Sequence, residues 1–302
     1  MTPNSAAQGQ SLSVVVQGSN FQPGAACSFG AGTIADPCVF NSSTQITASV
    51  SVGASTFLGA RDVTITNPDS QSGTLPGGFS VTKGVGGNVH INFNYASRTV
   101  LLADGWDFNA KTASGAVRNT EQSGTLAVDY NQTVHAGAIR VPILSGDIYR
   151  TVNTSQNTLL RDLPSDWTSI RLLISSFTPA ANYQQVDLAA YQDDDNYVIL
   201  SRMMDQSPTI EFYREQAAAV PAGGGFKTLT NTGNLLLRLD RNAATNVYSA
   251  YYSTNAGTTW VAMGTVTQTL TNPRLALHLG ANFAATQPTA DLAWVEILRP
   301  SP

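Results

Sequence analysis

Short runs of alternating apolar and polar residues recur along the whole chain, punctuated by Gly, Asn, Asp and Pro, and no stretch sustains a helical period. Leu12-Ser13-Val14-Val15-Val16 leads into Gly18-Ser19-Asn20. Ile46-Thr47-Ala48-Ser49-Val50 follows, then Asp62-Val63-Thr64-Ile65-Thr66, which stops at Asn67-Pro68-Asp69. Strands at this spacing predict a small β-sandwich over residues 1–83. Gly84-Val85-Gly86-Gly87 then reads as a linker, residues 84–87. Over residues 88–302 the same pattern predicts long strands at 170–177, 183–191, 197–203, 210–214, 235–240, 248–253, 275–280 and 292–298. Glu215-Gln216-Ala217-Ala218-Ala219-Val220 is the one helix-like stretch. Pro221 and Gly223-Gly224-Gly225 cut it to a single turn at most. Strands without βαβ spacing over such a length predict one large two-sheet jelly roll. The expected fold class is all-β, a small sandwich followed by a large one.

Strand parity sorts the faces. Gln184, Val186, Leu188 and Ala190 share one side of their strand, leaving Tyr183, Gln185, Asp187 and Tyr191 on the other. Ile210 and Phe212 leave Glu211 and Tyr213; Leu235, Leu237 and Leu239 leave Arg238 and Asp240; Leu275, Leu277 and Leu279 leave His278. Gln185, Asp187, Glu211, Tyr213, Arg238 and His278 are therefore the candidate carbohydrate-binding residues. On one concave sheet they would combine planar hydrogen-bonding groups with rings that stack on sugar faces. The alternative is the wet face that any antiparallel sandwich has.

Composition narrows the partners. Charged residues make up 12% of the chain, where about 25% is ordinary, and the net charge is −4 with three lysines. A nucleic-acid role is disfavoured. No run of 18 or more apolar residues exists, so no membrane insertion is expected. Met1-Thr2-Pro3-Asn4 lacks the basic and apolar regions of a signal peptide, so any leader is expected to have been removed. Cys27 and Cys38 are the only cysteines, lack metal or redox spacing, and read as a local disulfide rather than two buried thiols. That favours a secreted or cell-surface protein. Asp193-Asp194-Asp195-Asn196 offers oxygen ligands at a strand end, so structural calcium on Asp193, Asp194 and Asp195 is one reading. A solvated turn is the favoured one, because consecutive residues seldom converge. No other cofactor is implied.

Two resemblances agree with the pattern. Gly18-Ser19-Asn20-Phe21 with Pro23-Gly24, then Ser43-Thr44-Gln45-Ile46-Thr47-Ala48, resemble an IPT/TIG immunoglobulin-like domain. Gly59-Ala60-Arg61-Asp62-Val63-Thr64-Ile65-Thr66-Asn67-Pro68 and Gly77-Gly78-Phe79-Ser80-Val81 complete that likeness. It implies a spacer, or docking to other extracellular modules. Asn157-Thr158-Leu159-Leu160-Arg161, Asp166-Trp167, Asn182-Tyr183-Gln184-Gln185, Tyr191 through Val198, and Ser201-Arg202 resemble a concanavalin A-like domain. That domain closes family 43 glycoside hydrolases, and enolase-regulator-like domains share it. The hydrolases' propeller has no room here, so the likeness implies the accessory sandwich. Ser253-Thr254-Asn255-Ala256-Gly257-Thr258-Thr259-Trp260 resembles an Asp-box, a structural hairpin whose Trp should plug the core.

The function expected is a secreted lectin-like protein that binds a polysaccharide through the concave sheet. One alternative is a glycoside hydrolase using Asp187 and Glu211, or a polysaccharide lyase using Tyr213 or His278 with Arg238. Another is a surface or fibre subunit.

Overall fold

The computed structural model describes the chain except residues 54–55, 83–87, 112–116, 119–126, 232, 282–287 and 301–302. The expected linker, residues 84–87, lies outside the described residues. The chain divides into two compact units. The smaller gathers Met1–Gly87, Pro164–Asp166 and Arg299–Pro302; the larger gathers Asn88–Leu163 and Trp167–Leu298. The fold is all-β, as the alternation predicts.

In the small unit the strands are β1 (Ser5–Ala7), β2 (Ser11–Gln17), β3 (Ala26–Ser28) and β4 (Thr33–Ser42). They are followed by β5 (Gln45–Val52), β6 (Gly59–Thr66) and β7 (Ser72–Thr82). One sheet runs β1-β7-β6-β3 and the other β2-β5-β4. Every second residue of the predicted strands turns inward: Val14 and Val16, Ile46, Ala48 and Val50, Val63 and Ile65. Phe29 meets Phe79 edge-on among them, with ring centroids 5.3 Å apart. Cys27 and Cys38 are bridged. Because β3 and β4 belong to different sheets, the disulfide staples the two layers together.

The large unit opens with β8 (Val89–Asn92), a short helix α1 (Arg98–Ala103), β9 (Trp106–Lys111) and β10 (Val117–Arg118). Ser97 caps α1 by accepting from the Val100 N–H. Then come β11 (Ile139–Pro142), β12 (Leu144–Ser145), β13 (Thr158–Asp162) and β14 (Ser169–Ser176). β15 (Gln185–Asp193), β16 (Asn196–Asp205), β17 (Ser207–Gln216) and β18 (Gly225–Thr228) continue the chain. It ends with β19 (Leu235–Asn242), β20 (Val247–Ser253), β21 (Val261–Thr267), β22 (Arg274–Ala281) and β23 (Thr289–Leu298).

The nine-stranded sheet is ordered β10-β9-β13-β22-β15-β16-β17-β18, with β12 beside β22. The seven-stranded sheet is ordered β11-β23-β14-β19-β20-β21, with β8 beside β23. Between them lies the main core: Val186, Leu188, Ala190, Leu200, Phe212 and Leu277 from one sheet, Leu172, Leu237, Leu239, Leu292 and Val295 from the other. Each such side chain contributes about 1.5–3 kcal/mol on leaving water.

Two local expectations are corrected, and the expectation of at most one turn at 215–220 is made specific. The helix-like stretch at 215–220 is the end of β17 and a tight turn, with Ala217 and Ala218 in the left-handed region (φ 50° and 59°). Tyr183 does not begin a strand; it sits at φ 67° before β15 and is exposed. Trp260 does not plug the core. It lies on the outer face of the seven-stranded sheet, where Arg171 and Arg238 stack over its ring at 5.6 and 5.4 Å. The rest of the 253–260 hairpin is a hydrogen-bonded turn as expected. Ser253 Oγ accepts from the Gly257 N–H at 3.0 Å and Asn255 Oδ1 from the Thr259 N–H at 3.0 Å.

Candidate functional site

Register places five chemistry-bearing positions in one row across the nine-stranded sheet. His278 on β22 opposes Asp187 on β15, which opposes Ser201 on β16, then Glu211 on β17, then Phe226 on β18. Directly opposed residues share a face, so all five project away from the main core. Gln185 and Tyr213 stand on the same face, two residues along their strands. Parity therefore places five of the six candidates together. Arg238 is the exception: it belongs to β19 of the other sheet, pairs with Asp240 at 2.5 Å and stacks on Tyr251 and Trp260. The expected six-residue site is not assembled, because parity assigns a face within a strand and not the sheet to which the strand belongs.

The shared face is not an open cleft. A strap, residues 146–157, crosses it. Gly146 starts the strap at φ 136°, where a Cβ would lie 2.2 Å from Thr154 O, so only glycine lets the loop close on itself. The Thr154 N–H closes it onto Asp147 O at 2.9 Å, and Gln156 Nε2 donates to Ser145 O at 2.7 Å. Ile148 is pressed into a second, smaller core with Leu160, Ala189, Tyr191, Tyr197, Ile199, Tyr213 and Ala276.

Burial sets the chemistry beneath. Asp187 is 0% exposed; Ser201 Oγ donates to its Oδ1, and His278 Nδ1 lies 2.6 Å from its Oδ2. Burial pushes the Asp187 carboxyl up, while the His278 and Ser201 bonds pull it down. Gln185 Nε2 donates to Asp147 Oδ1 at 3.0 Å. Burial raises the Tyr213 phenol well above its ordinary value, and Asp187, Asp147 and Glu211 add to the rise. A phenol so disposed makes a poor base. With Arg238 on the other sheet, the lyase arrangement is not assembled.

Glu211 differs from its neighbours because it stands at the rim and is only half-buried. Burial first, then Asp205 and Asp187, hold its carboxyl above the usual range. Phe226, opposite Glu211, is 52% exposed, and Tyr149 of the strap, 38% exposed, meets Tyr213 edge-on at 6.0 Å. Gly224 and Gly225 place Phe226 there. Added Cβ atoms would fall 1.8 Å from Phe212 O and 2.0 Å from Met263 O, so β18 comes closer to its neighbours than any side chain allows. Two strand spacings separate the Asp187 and Glu211 backbones, about 10 Å.

The aspartates of the acidic turn diverge instead of converging, with Asp194 buried. Asp193 Oδ1 accepts from the Asp195 N–H and from Asn196 Nδ2; Asp194 accepts from Tyr191 Oη; Asp195 Oδ1 accepts from Asn153 Nδ2 at 3.1 Å. The three aspartates do not share one ion, since alternate residues of a turn point apart. Phe226, Tyr149, Ser201 and Glu215 were missed from the sequence. Phe226 sits in a four-residue strand behind three glycines, and Tyr149 in a polar loop with no periodicity.

No family model matches the sequence, and no curated protein matches it. Solved structures do. The GH43 BlXynB protein from Bacillus licheniformis aligns with a TM-score of 0.54 at 15% identity, over 83% of this chain and 47% of that one. The Bacteroides ovatus Xyloglucan PUL GH43B aligns at 0.54 and 13%, over 84% and 47%. A xylan beta-1,4-xylosidase from Bacillus halodurans C-125 aligns at 0.53 and 11%, over 83% and 47%. The chain spans about half the length of these structures. At such identity the likeness is one of fold.

Proposed function

We propose that the large unit is a carbohydrate-binding sandwich that receives a glycan at the rim of the nine-stranded sheet, around Glu211. The observation that carries this is a half-buried carboxyl with one exposed ring, Phe226, opposite it and a second, Tyr149, packed on Tyr213 two residues along its strand. Rings stack on pyranose faces while the carboxyl accepts from sugar hydroxyls. The names of the fold neighbours, glycoside hydrolases and a xylosidase among them, support a carbohydrate ligand. The rim site replaces a concave-sheet cleft in this reading, because the strap fills the sheet's centre.

Glycoside hydrolysis is the second reading. Glu211 has the raised carboxyl of a general acid, and Asp187 stands on the same face near the separation of an inverting pair. Against it, Asp187 is sealed under His278 and Ser201. The small unit is proposed as an IPT/TIG-like spacer or docking module of a secreted or surface protein. Exposed Ile34 and Val39 on edge strand β4 support docking.

Calorimetric titration with xylo-, xyloglucan- and arabino-oligosaccharides, beside a reducing-end assay, tests both readings. Binding should weaken roughly tenfold or more in Phe226→Ala, and stay within about tenfold in Glu211→Gln. A hundredfold loss of turnover in Glu211→Gln with binding kept would establish the hydrolase. A wild-type protein that neither binds nor cleaves any of these sugars defeats both.

A further inference from the structure

We propose that Glu215, Asp195 and Asn153 form a calcium site that pins the strap to the turns ending β15 and β17. Three segments meet at this corner. The strap contributes Arg150 and Asn153, the 193–196 turn contributes Asp195, and Glu215 arrives at the end of β17 opposite Tyr197. The Ala218 N–H donates to Asp195 O at 3.2 Å, closing the corner from the fourth side.

Two buried oxygens there have no donor. Glu215 is 0% exposed; its Oε2 accepts from the Arg150 N–H at 2.7 Å and lies 2.9 Å from Tyr197 Oη, but its Oε1 accepts from nothing. Asn153 gives its amide nitrogen to Asp195, and its Oδ1 is likewise buried and unpartnered. An orphaned buried carboxylate oxygen has given up its water without a replacement, so such groups mark a missing partner. The charge points the same way. Asp195 and Asp147 both act on Glu215 repulsively, and Arg150 meets Glu215 through its backbone N–H. A divalent cation satisfies the two orphan oxygens and relieves the repulsion together.

The donor set selects the ion. Among the described residues no three Asp, Glu, His or Cys side chains are grouped to hold a metal. Two carboxylates and an amide oxygen, completed by carbonyls and water, suit a hard cation of flexible coordination. Magnesium demands stricter octahedral geometry, and zinc prefers nitrogen and sulfur. This inference does not rest on glycan binding, although Tyr149 of the same strap borders the proposed glycan site.

The test uses the full chain stripped with EDTA and titrated with calcium chloride, with magnesium chloride as control. Calorimetry should show one saturable calcium site, and thermal melting should rise by several degrees. Magnesium should bind at least tenfold more weakly. Glu215→Gln and Asp195→Asn should each weaken calcium at least tenfold. Asp195 is the less buried of the two, so Asp195→Asn remains informative if Glu215→Gln fails to fold. Absence of calcium binding up to 10 millimolar (on the order of the weakest extracellular sites) overturns the proposal, as does calcium binding unchanged in both variants.

Discussion

Arg202 shows how far a single residue can depart from its pattern. It follows Val198 and Leu200 on the core side of β16, is 2% exposed, and finds no carboxylate partner among the described residues. Its guanidinium instead donates to the carbonyls of Thr209, Leu229 and Asn231, at 3.3, 2.7 and 2.9 Å. Burial lowers its pKa, yet a guanidinium starts so high that it stays charged. Those carbonyls lie on a strand and the loop beyond β18, so Arg202 ties the loop to the sheet. Arg202→Met keeps the length of the chain and strands the acceptors, at a cost of about 3 kcal/mol or more. Urea denaturation should show a lower midpoint at unchanged slope; a loss under about 1 kcal/mol would mean that the carbonyls find water instead. Alternation alone puts Arg202 inside, but nothing in the sequence reveals the three carbonyls that make this tolerable.

At the scale of elements, period-2 alternation was highly legible and what covers a face was not. The eight long strands read from the sequence all reappear, as β14 to β17, β19, β20, β22 and β23, because each carries a row of apolar residues on one side, Leu, Ile or Val in most and Tyr248, Ala250 and Tyr252 in β20. The second face of β15 carries Gln185, Asp187 and Tyr191 and looked wet, but the strap buries it. Small Ala189 and Ala276 in the middle of that face are where Ile148 packs, a hint that is clear only once the strap is seen. Burial under the strap also has a pH consequence in metal-free protein. Glu215 is held above its ordinary carboxyl value by burial, with Asp195 and Asp147 adding to it. A carboxyl raised in the folded state keeps its proton to higher pH than in the unfolded chain. Its contribution is therefore full below the unfolded value near 4.3 and is lost as pH rises through the folded value. Glu211 has the same sign. Denaturation midpoints of EDTA-treated protein should fall as pH rises above the unfolded carboxyl value near 4.3, and Glu215→Gln should flatten that fall. An unchanged slope in the variant would place the titration elsewhere.

Among the described residues the small unit has a core of its own, drawn from β1 to β7, and the large unit has the core between its two sheets and the smaller one beneath the strap. Cooperativity follows shared cores, so calorimetry should resolve two transitions. The disulfide tells which is which. Cys27 and Cys38 both belong to the small unit and join its two sheets, while the larger core contains no cysteine. Closing a loop of this length stabilises by about 2–3 kcal/mol. For a domain of roughly 85 residues that corresponds to a fall on the order of 10 °C on reduction. Reduction should therefore lower one transition by that amount and leave the other in place, and Cys27→Ala with Cys38→Ala should reproduce the shift without reductant. The large unit provides the internal control, because a reductant acting through solvent would move both. A single transition that shifts as one body on reduction would show that the two units unfold together, and the small unit would then be part of the large sandwich's stability.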